Sequence, residues 1–130
     1  IRDSLQAAAV SDFADTLLAA DPKARLVVAG DGNDFEFSTT ADLLVGSGST
    51  ALIDLPRTVT PDERWTYVFE GNSQVLDHIL ISPALAVAPK GAKYPAYVYD
   101  IVHTNAPFHD QDSDHDPQVV RLAIRGGTGI

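Results

Sequence analysis

Val27-Val28-Ala29-Gly30-Asp31-Gly32-Asn33-Asp34 is an apolar run that ends abruptly in glycines, a carboxylate and an amide. Residues 24–29 read as a strand buried on both faces, because β-branched and apolar side chains follow one another without polar alternation. Gly30 and Gly32 let the backbone turn sharply beyond it. On a chain that stays roughly extended, residues two apart share a face, so Asp31 and Asn33 project the same way, about 7 Å apart. A strand followed by an ordinary Gly/Asn/Asp turn accounts for the pentapeptide alone. A functional reading needs partners from elsewhere in the chain.

Outward from this stretch, residues 3–20 carry Leu5, Ala9, Phe13 and Leu17 at steps of four, with Val10 widening the stripe, and predict a helix whose stripe enters the core. Asp3 or Ser4 is placed to cap it, and Asp21-Pro22 stops it. Helix then strand predicts a helix layer on a sheet. Two short helical pieces are expected at 41–44 and 51–55, around Gly46-Ser47-Gly48-Ser49. Residues 65–70 and 74–82 are rich in strand formers and flank Gly71-Asn72-Ser73, a hairpin signature. A strand at 97–104, a polar acidic loop at 105–116 and a last strand at 117–124 follow, so residues 1–124 form one domain and 125–130 a tail or linker.

In the run Gln74 to Ser82, Val75, Asp77, Ile79 and Ile81 share one side. A carboxylate in an aliphatic row is costly to desolvate, so Asp77 implies a partner. His78, on the other face with Leu76 and Leu80, reads as a structural or surface histidine. The best candidate for the partner of Asp77 lies in His109-Asp110-Gln111-Asp112-Ser113-Asp114-His115-Asp116-Pro117, just before the last strand. Its alternate aspartates do not make a calcium loop. Counted from Asp110, the sixth position is His115 instead of glycine and the twelfth is Arg121 instead of glutamate. A solvated acidic loop is the plain alternative. Ser-Asp-His at a strand entrance, in a chain that has an unpartnered Asp77, favours His115 and Asp77 as a carboxylate-oriented imidazole, with Asp114 as a metal ligand or second carboxylate. No serine elbow or cysteine supports a covalent nucleophile.

The 130 residues, 45% of them hydrophobic and 21% charged, suffice for one domain with one core. There is no cysteine, so neither a disulfide framework nor a cysteine zinc site is possible. A net charge of −9 disfavours nucleic-acid binding through a basic surface and makes a bridging metal the better route to a phosphate. No apolar run has the length to cross a bilayer, and no membrane partner is expected. The sequence opens on Ile1 and contains no methionine, which suggests a processed or excised piece of a longer product.

Gly30-Asp31-Gly32-Asn33-Asp34, Leu76-Asp77-His78-Ile79-Leu80 and Ser113-Asp114-His115-Asp116-Pro117, in this order, resemble the C-terminal half of the endonuclease/exonuclease/phosphatase superfamily, which includes pancreatic-type deoxyribonucleases, abasic-site endonucleases, sphingomyelinases and inositol polyphosphate phosphatases. The text around Val68-Phe69-Glu70-Gly71-Asn72-Ser73-Gln74 is most similar to bacterial extracellular nuclease-like members. The resemblance implies an α/β fold, half of a two-layer β-sandwich flanked by helices, and a secreted or periplasmic phosphoesterase, foremost a nuclease. It implies that Asp31 orients or deprotonates the attacking water and that Asn33 donates to the phosphate. It further implies that Asp77 holds His115, whose imidazolium stabilises developing negative charge, and that Asp114 and Asp31 help hold Mg²⁺, or Mn²⁺ or Ca²⁺. The family usually has a large residue where Gly32 stands, which here suggests a looser turn. Its metal-binding glutamate, an asparagine and a second histidine belong to the N-terminal half. The implied partners are therefore that half or a second copy of this chain, and a nucleic acid or other phosphoester. A non-catalytic fragment or interaction module, and a phosphatase or phospholipase of the superfamily, are the alternatives. Strands apolar on both faces, with helices enough for one, further predict an uncovered sheet face and no stable, active, isolated monomer.

Overall fold

The structure is a computed structural model that describes residues 2–124; the tail expected at 125–130 lies outside the described residues. It is mixed α/β, with small antiparallel sheets and two α-helices. Helix α1 spans Arg2–Ala20, strand β1 Val27–Asp31 and helix α2 Thr39–Val45; β2 (Ile53–Asp54), β3 (Tyr67–Phe69), β4 (Asn72–Gln74), β5 (Asp77–Ile81), β6 (Tyr97–Ile101) and β7 (Gln118–Leu122) follow. Strand β5 runs between β1 and β2, β3 pairs with β4, and β6 pairs with β7.

Helix α1 forms where the periodicity predicts, but it turns a different face inward. Ala7, Ala14 and Leu18 are buried, whereas Leu5 (68% exposed), Phe13 (63%), Leu17 and Val10 meet solvent. Ala9 is exposed as well. Near Ser11 the helix comes close to its neighbour: a Cβ added at Gly46, which ends α2 at φ 75°, would lie 3.4 Å from Ser11 Oγ. Ser4 lies within the helix, 3.3 Å from the Thr40 hydroxyl, and does not cap it.

Three other segments depart from the sequence reading. Strand β1 is shifted toward Asp31, and it is not buried on both faces: Val28 packs inward while Val27 is 43% exposed. As the edge of its sheet, β1 has no neighbour on one side among the described residues. The helical piece expected at 51–55 is the two-residue β2 followed by a 3₁₀ turn, Leu55–Thr58. The single strand expected at 74–82 is broken into β4 and β5 at Val75-Leu76. The hairpin turn is Glu70-Gly71, both at positive φ (49° and 81°), the geometry of a tight primed turn, so Asn72 and Ser73 belong to β4.

The two faces of β5 feed two cores. Leu80 joins Ala14, Leu18 and Leu52 beneath α1 and α2. Ile81 joins Leu55 and Leu85, against which Ile53, Ile79, Tyr97, Tyr99, Val120 and Leu122 pack. Both faces of the central strand are therefore covered from within the chain, contrary to the expected bare sheet face. Apolar surface left in water lies on α1, on outward residues of the edge strands such as Val27, Val98 and Val119, and on loop residues such as Phe37 and Val87. No helix among the described residues is long and apolar enough to cross a membrane.

Candidate functional site

Antiparallel register builds the first half of the site. Pairing Val27 with Ile81 carries the ladder to its end at Asp31 opposite Asp77, so two carboxylates from distant parts of the chain lie side by side. This neighbourhood is unfavourable for two anions unless a cation joins them.

His115 supplies one when its ring is protonated. Its Nδ1 lies 2.6 Å from Asp77 Oδ2, the short distance of a charge-assisted bond. The ligand atoms of Asp31, Asp77 and His115 all lie within 4.8 Å of one another. Burial alone would pull the His115 pKa down. The Asp77 bond and the charges of Asp77, Asp31 and Asp114 outweigh it and raise the pKa above its ordinary value. With Nδ1 donated to Asp77, Nε2 makes no hydrogen bond among the described residues.

Thr66, fully buried, fixes this geometry from behind. Its hydroxyl accepts from the amides of Leu76 (3.1 Å) and Asp77 (3.3 Å), which replaces the strand ladder at the β4–β5 break. Its own amide donates to the Gln74 carbonyl, and its carbonyl accepts from the Asp116 amide at 2.7 Å. One residue thus ties the strand of Asp77 to the segment of His115. From the other side the Tyr99 hydroxyl donates to Gln118 Oε1 (2.9 Å), and Gln118 Nε2 donates to the Asp77 carbonyl (2.6 Å). Burial and the nearby Asp54, Asp100 and Asp77 push the Tyr99 phenol far up, so it stays a donor.

The loop of His115 is held by Asp116. This carboxylate is 3% exposed and accepts from the amides of Thr104, Asn105 and Ala106 and from His103 Nδ1 at 3.0 Å. Burial would raise its pKa, but these bonds together lower it. His103 stacks on Trp65 with 3.7 Å between ring centroids. The acidic stretch is therefore not wholly a solvated loop.

Asn33 is the residue placed otherwise than the extended-chain reading expects. The backbone turns at Asn33, with φ 48°, and its amide donates to Asp31 Oδ1 at 2.9 Å. The Asn33 side chain makes no hydrogen bond among the described residues, and the chain is not extended through Asn33 as a shared face with Asp31 assumes. Asp114 is exposed, stands outside the Asp31–Asp77–His115 cluster and acts on His115 through its charge. Nor is the turn loose at Gly32: its amide donates to the Leu76 carbonyl at 2.7 Å, and an added Cβ would stand 3.3 Å from His78 Cδ2.

His78, which the sequence marks as a structural or surface histidine, is structural, and Asp54 is the partner that the sequence reading did not identify. His78 is 5% exposed; its Nδ1 lies 3.1 Å from both Asp54 oxygens, and its Nε2 lies 3.1 Å from the Asp34 carbonyl. Arg57 Nε stands 3.1 Å from Asp54 without hydrogen-bond angles, and Arg57 also pairs with Asp42 at 2.9 Å. Burial lowers the His78 pKa. The Asp54 bond and charge, with the Asp34 carbonyl, raise it further than burial and Arg57 lower it. The signal in the sequence was Asp54 within Ile53-Asp54-Leu55, a second aspartate in an apolar run.

Two carboxylates and an imidazole do not complete an octahedron, but carboxylate oxygens beside open solvent suit a hard divalent cation that keeps several waters. The group placed to hold such a cation is Asp31, Asp77 and His115, the imidazole serving as a ligand only in its deprotonated form. Asp31 and Asp77 line an open cleft of about 230 Å³ with Gly30, Ile79, Asp116 and Pro117. No family model, curated protein or solved structure matches the chain.

Proposed function

We propose that the chain is the C-terminal half of a divalent-metal-dependent phosphoesterase, foremost a nuclease that hydrolyses phosphodiester bonds. The observation that carries this reading is the 2.6 Å His115–Asp77 bond with Asp31 beside it, drawn from three segments far apart in sequence. An imidazolium held by one carboxylate, with an unbonded Nε2, is suited to neutralise charge developing on phosphoryl oxygens. Asp31, its Oδ1 holding the Asn33 amide, is the group to orient or deprotonate an attacking water. In this reading Asn33 donates to the phosphate once substrate is present. A cation held through Asp31 and Asp77, Mg²⁺ first and Mn²⁺ or Ca²⁺ after it, would supply Lewis-acid polarisation of the phosphoryl group.

The same reading makes this fold one half of a β-sandwich. The missing half, or a second copy of the chain, would cover the exposed stripe of α1 and the outward valines and would complete the site. Secretion or periplasmic residence follows from the resemblance to extracellular nucleases. A phosphatase or phospholipase shares every residue named here. A non-catalytic module is the reading from another class.

The test is Mg²⁺-dependent cleavage of DNA, RNA and a phosphomonoester, by the chain alone and with the upstream sequence of its reading frame. Cleavage of the diesters only in the longer form is expected. Full activity of a monomeric 130-residue chain would overturn the half-domain reading, and inactivity of both forms would favour the module.

A further inference from the structure

We propose that His78 is a positioning residue for the turn that carries Asp31 and Asn33: its two ring N–H groups tie the Asp34 carbonyl to the buried Asp54 carboxylate, and its ring closes against Gly32. Nδ1 faces a carboxylate and Nε2 faces a backbone carbonyl, both acceptors only, each at 3.1 Å. A neutral ring would set one nitrogen lone pair against an oxygen lone pair in a site 5% exposed, which is costly. The ring therefore donates at both nitrogens.

What it joins decides its role. Asp54 is anchored in β2 and stands beside Arg57, which reaches Asp42 of α2, so that end of the clamp belongs to the framework. The other end is the turn after β1. Gly30 lies opposite His78 in the β1–β5 register, and Asp31 lies opposite Asp77. The Cβ that Gly32 lacks would sit 3.3 Å from the His78 ring, so glycine here lets turn and ring close on each other. Adjacent residues of β5 thus serve the two sides of the sheet: Asp77 bonds His115 while His78, on the helix side, fixes the backbone just beyond Asp31. That the clamped residue is a reacting one rests on the phosphoesterase reading; the clamp itself does not.

The experiment is amide hydrogen exchange by NMR on the 130-residue chain, with Gly32, Asn33 and Phe35 compared against Leu80 in the core of β5. In His78→Phe, which fills the space without donors, exchange at the three turn amides rises at least about tenfold relative to Leu80, as expected for loss of a charge-assisted bond. Asp54→Asn keeps a donor toward Asp34, because a neutral His78 can accept from the asparagine amide at Nδ1 and donate at Nε2; the ratio stays within about threefold. Gly32→Ala, a milder change that pushes on the ring, raises the ratio in the same direction and serves if His78→Phe does not fold. Unchanged ratios in His78→Phe and Gly32→Ala, or a loss in Asp54→Asn equal to that in His78→Phe, overturn the proposal. The expected exchange pattern in a chain that cleaves no phosphoester in any form upholds the clamp and sinks only the enzyme reading.

Discussion

His115 and His78 are each bonded through Nδ1 to an aspartate of the β1–β5–β2 sheet, and each has a pKa above the ordinary histidine value. They differ at the second nitrogen. In His78 it meets the Asp34 carbonyl inside the protein, so the ring's capacity is spent on the fold. In His115 it is unbonded among the described residues, on a side chain 25% exposed, with a second carboxylate alongside. The same pair of residue types is structural when both ends are closed and chemically available when one is open. The identity of the residues does not distinguish them; what the fold leaves unsatisfied does.

The largest effect is expected at the closed pair. His78→Leu leaves the Asp54 charge buried at 1% side-chain exposure with Arg57 badly angled to it, and should cost about 3–5 kcal/mol of stability, read as a fall in the denaturant midpoint. A loss as small as that of a surface substitution would mean that the buried network is not coupled to folding. At the open pair the loss should be in chemistry. In the longer protein, His115→Ala or Asp31→Ala should lower Mg²⁺-dependent diester cleavage at least about a hundredfold, a loss larger than any accompanying loss of stability accounts for. His103→Ala should matter far less to cleavage, and equal losses at His103 and His115 would remove His115 from its role.

Asp77→Asn sharpens the contrast further. Asparagine fills the same volume but cannot stabilise an imidazolium electrostatically, so the His115 pKa should fall by about one unit or more in an NMR titration. An unchanged value would show that the 2.6 Å contact is not felt by the proton. Stability should follow pH with a definite sign. Both histidines have raised folded-state pKa values, so their contributions are full below the ordinary histidine value near 6.5 and fade as pH rises through the higher folded values. Asp116 acts oppositely: its lowered pKa stabilises above the ordinary carboxylate range and is lost as pH falls through the folded value. Denaturant midpoints across pH should therefore decline at both ends, and in Asp77→Asn the alkaline decline should shrink.

The smallest effect is expected farthest from either pair. Phe13→Glu replaces a side chain already 63% exposed and should change stability by no more than about 0.5 kcal/mol. In sedimentation it should nevertheless weaken association, with itself or with a companion half. Unaltered association would place the covering surface elsewhere.

How far the sequence reveals this architecture depends on the kind of signal. Asp77 was legible as a carboxylate that needs a partner, and His115 as the partner, because an ionised group in an aliphatic strand has few solutions. Helix α1 was legible as a helix and not in its orientation. Periodicity weights large side chains and selects Leu5, Phe13 and Leu17, whereas the face that packs on its neighbours carries Ala7, Ser11 and Ala14. The β4–β5 break was hidden because strand-forming residues run straight through it. What interrupts the ladder is the Thr66 hydroxyl, eight residues upstream of Gln74. Asn33 was misread for a related reason: its backbone folds onto Asp31, and a one-dimensional face count assumes an extended chain.

Thr66 touches no solvent and sits in none of the three motifs, yet its hydroxyl, amide and carbonyl join the backbones that carry both members of the open pair. A saturation library of this chain would then show an odd profile at that position. Serine, which retains the hydroxyl, would survive selection for activity, while valine, nearly the same shape, would fold and be discarded. Positions of that kind set the drift an active centre can tolerate, since the pair can be retuned only by changes that leave this one polar atom where it is.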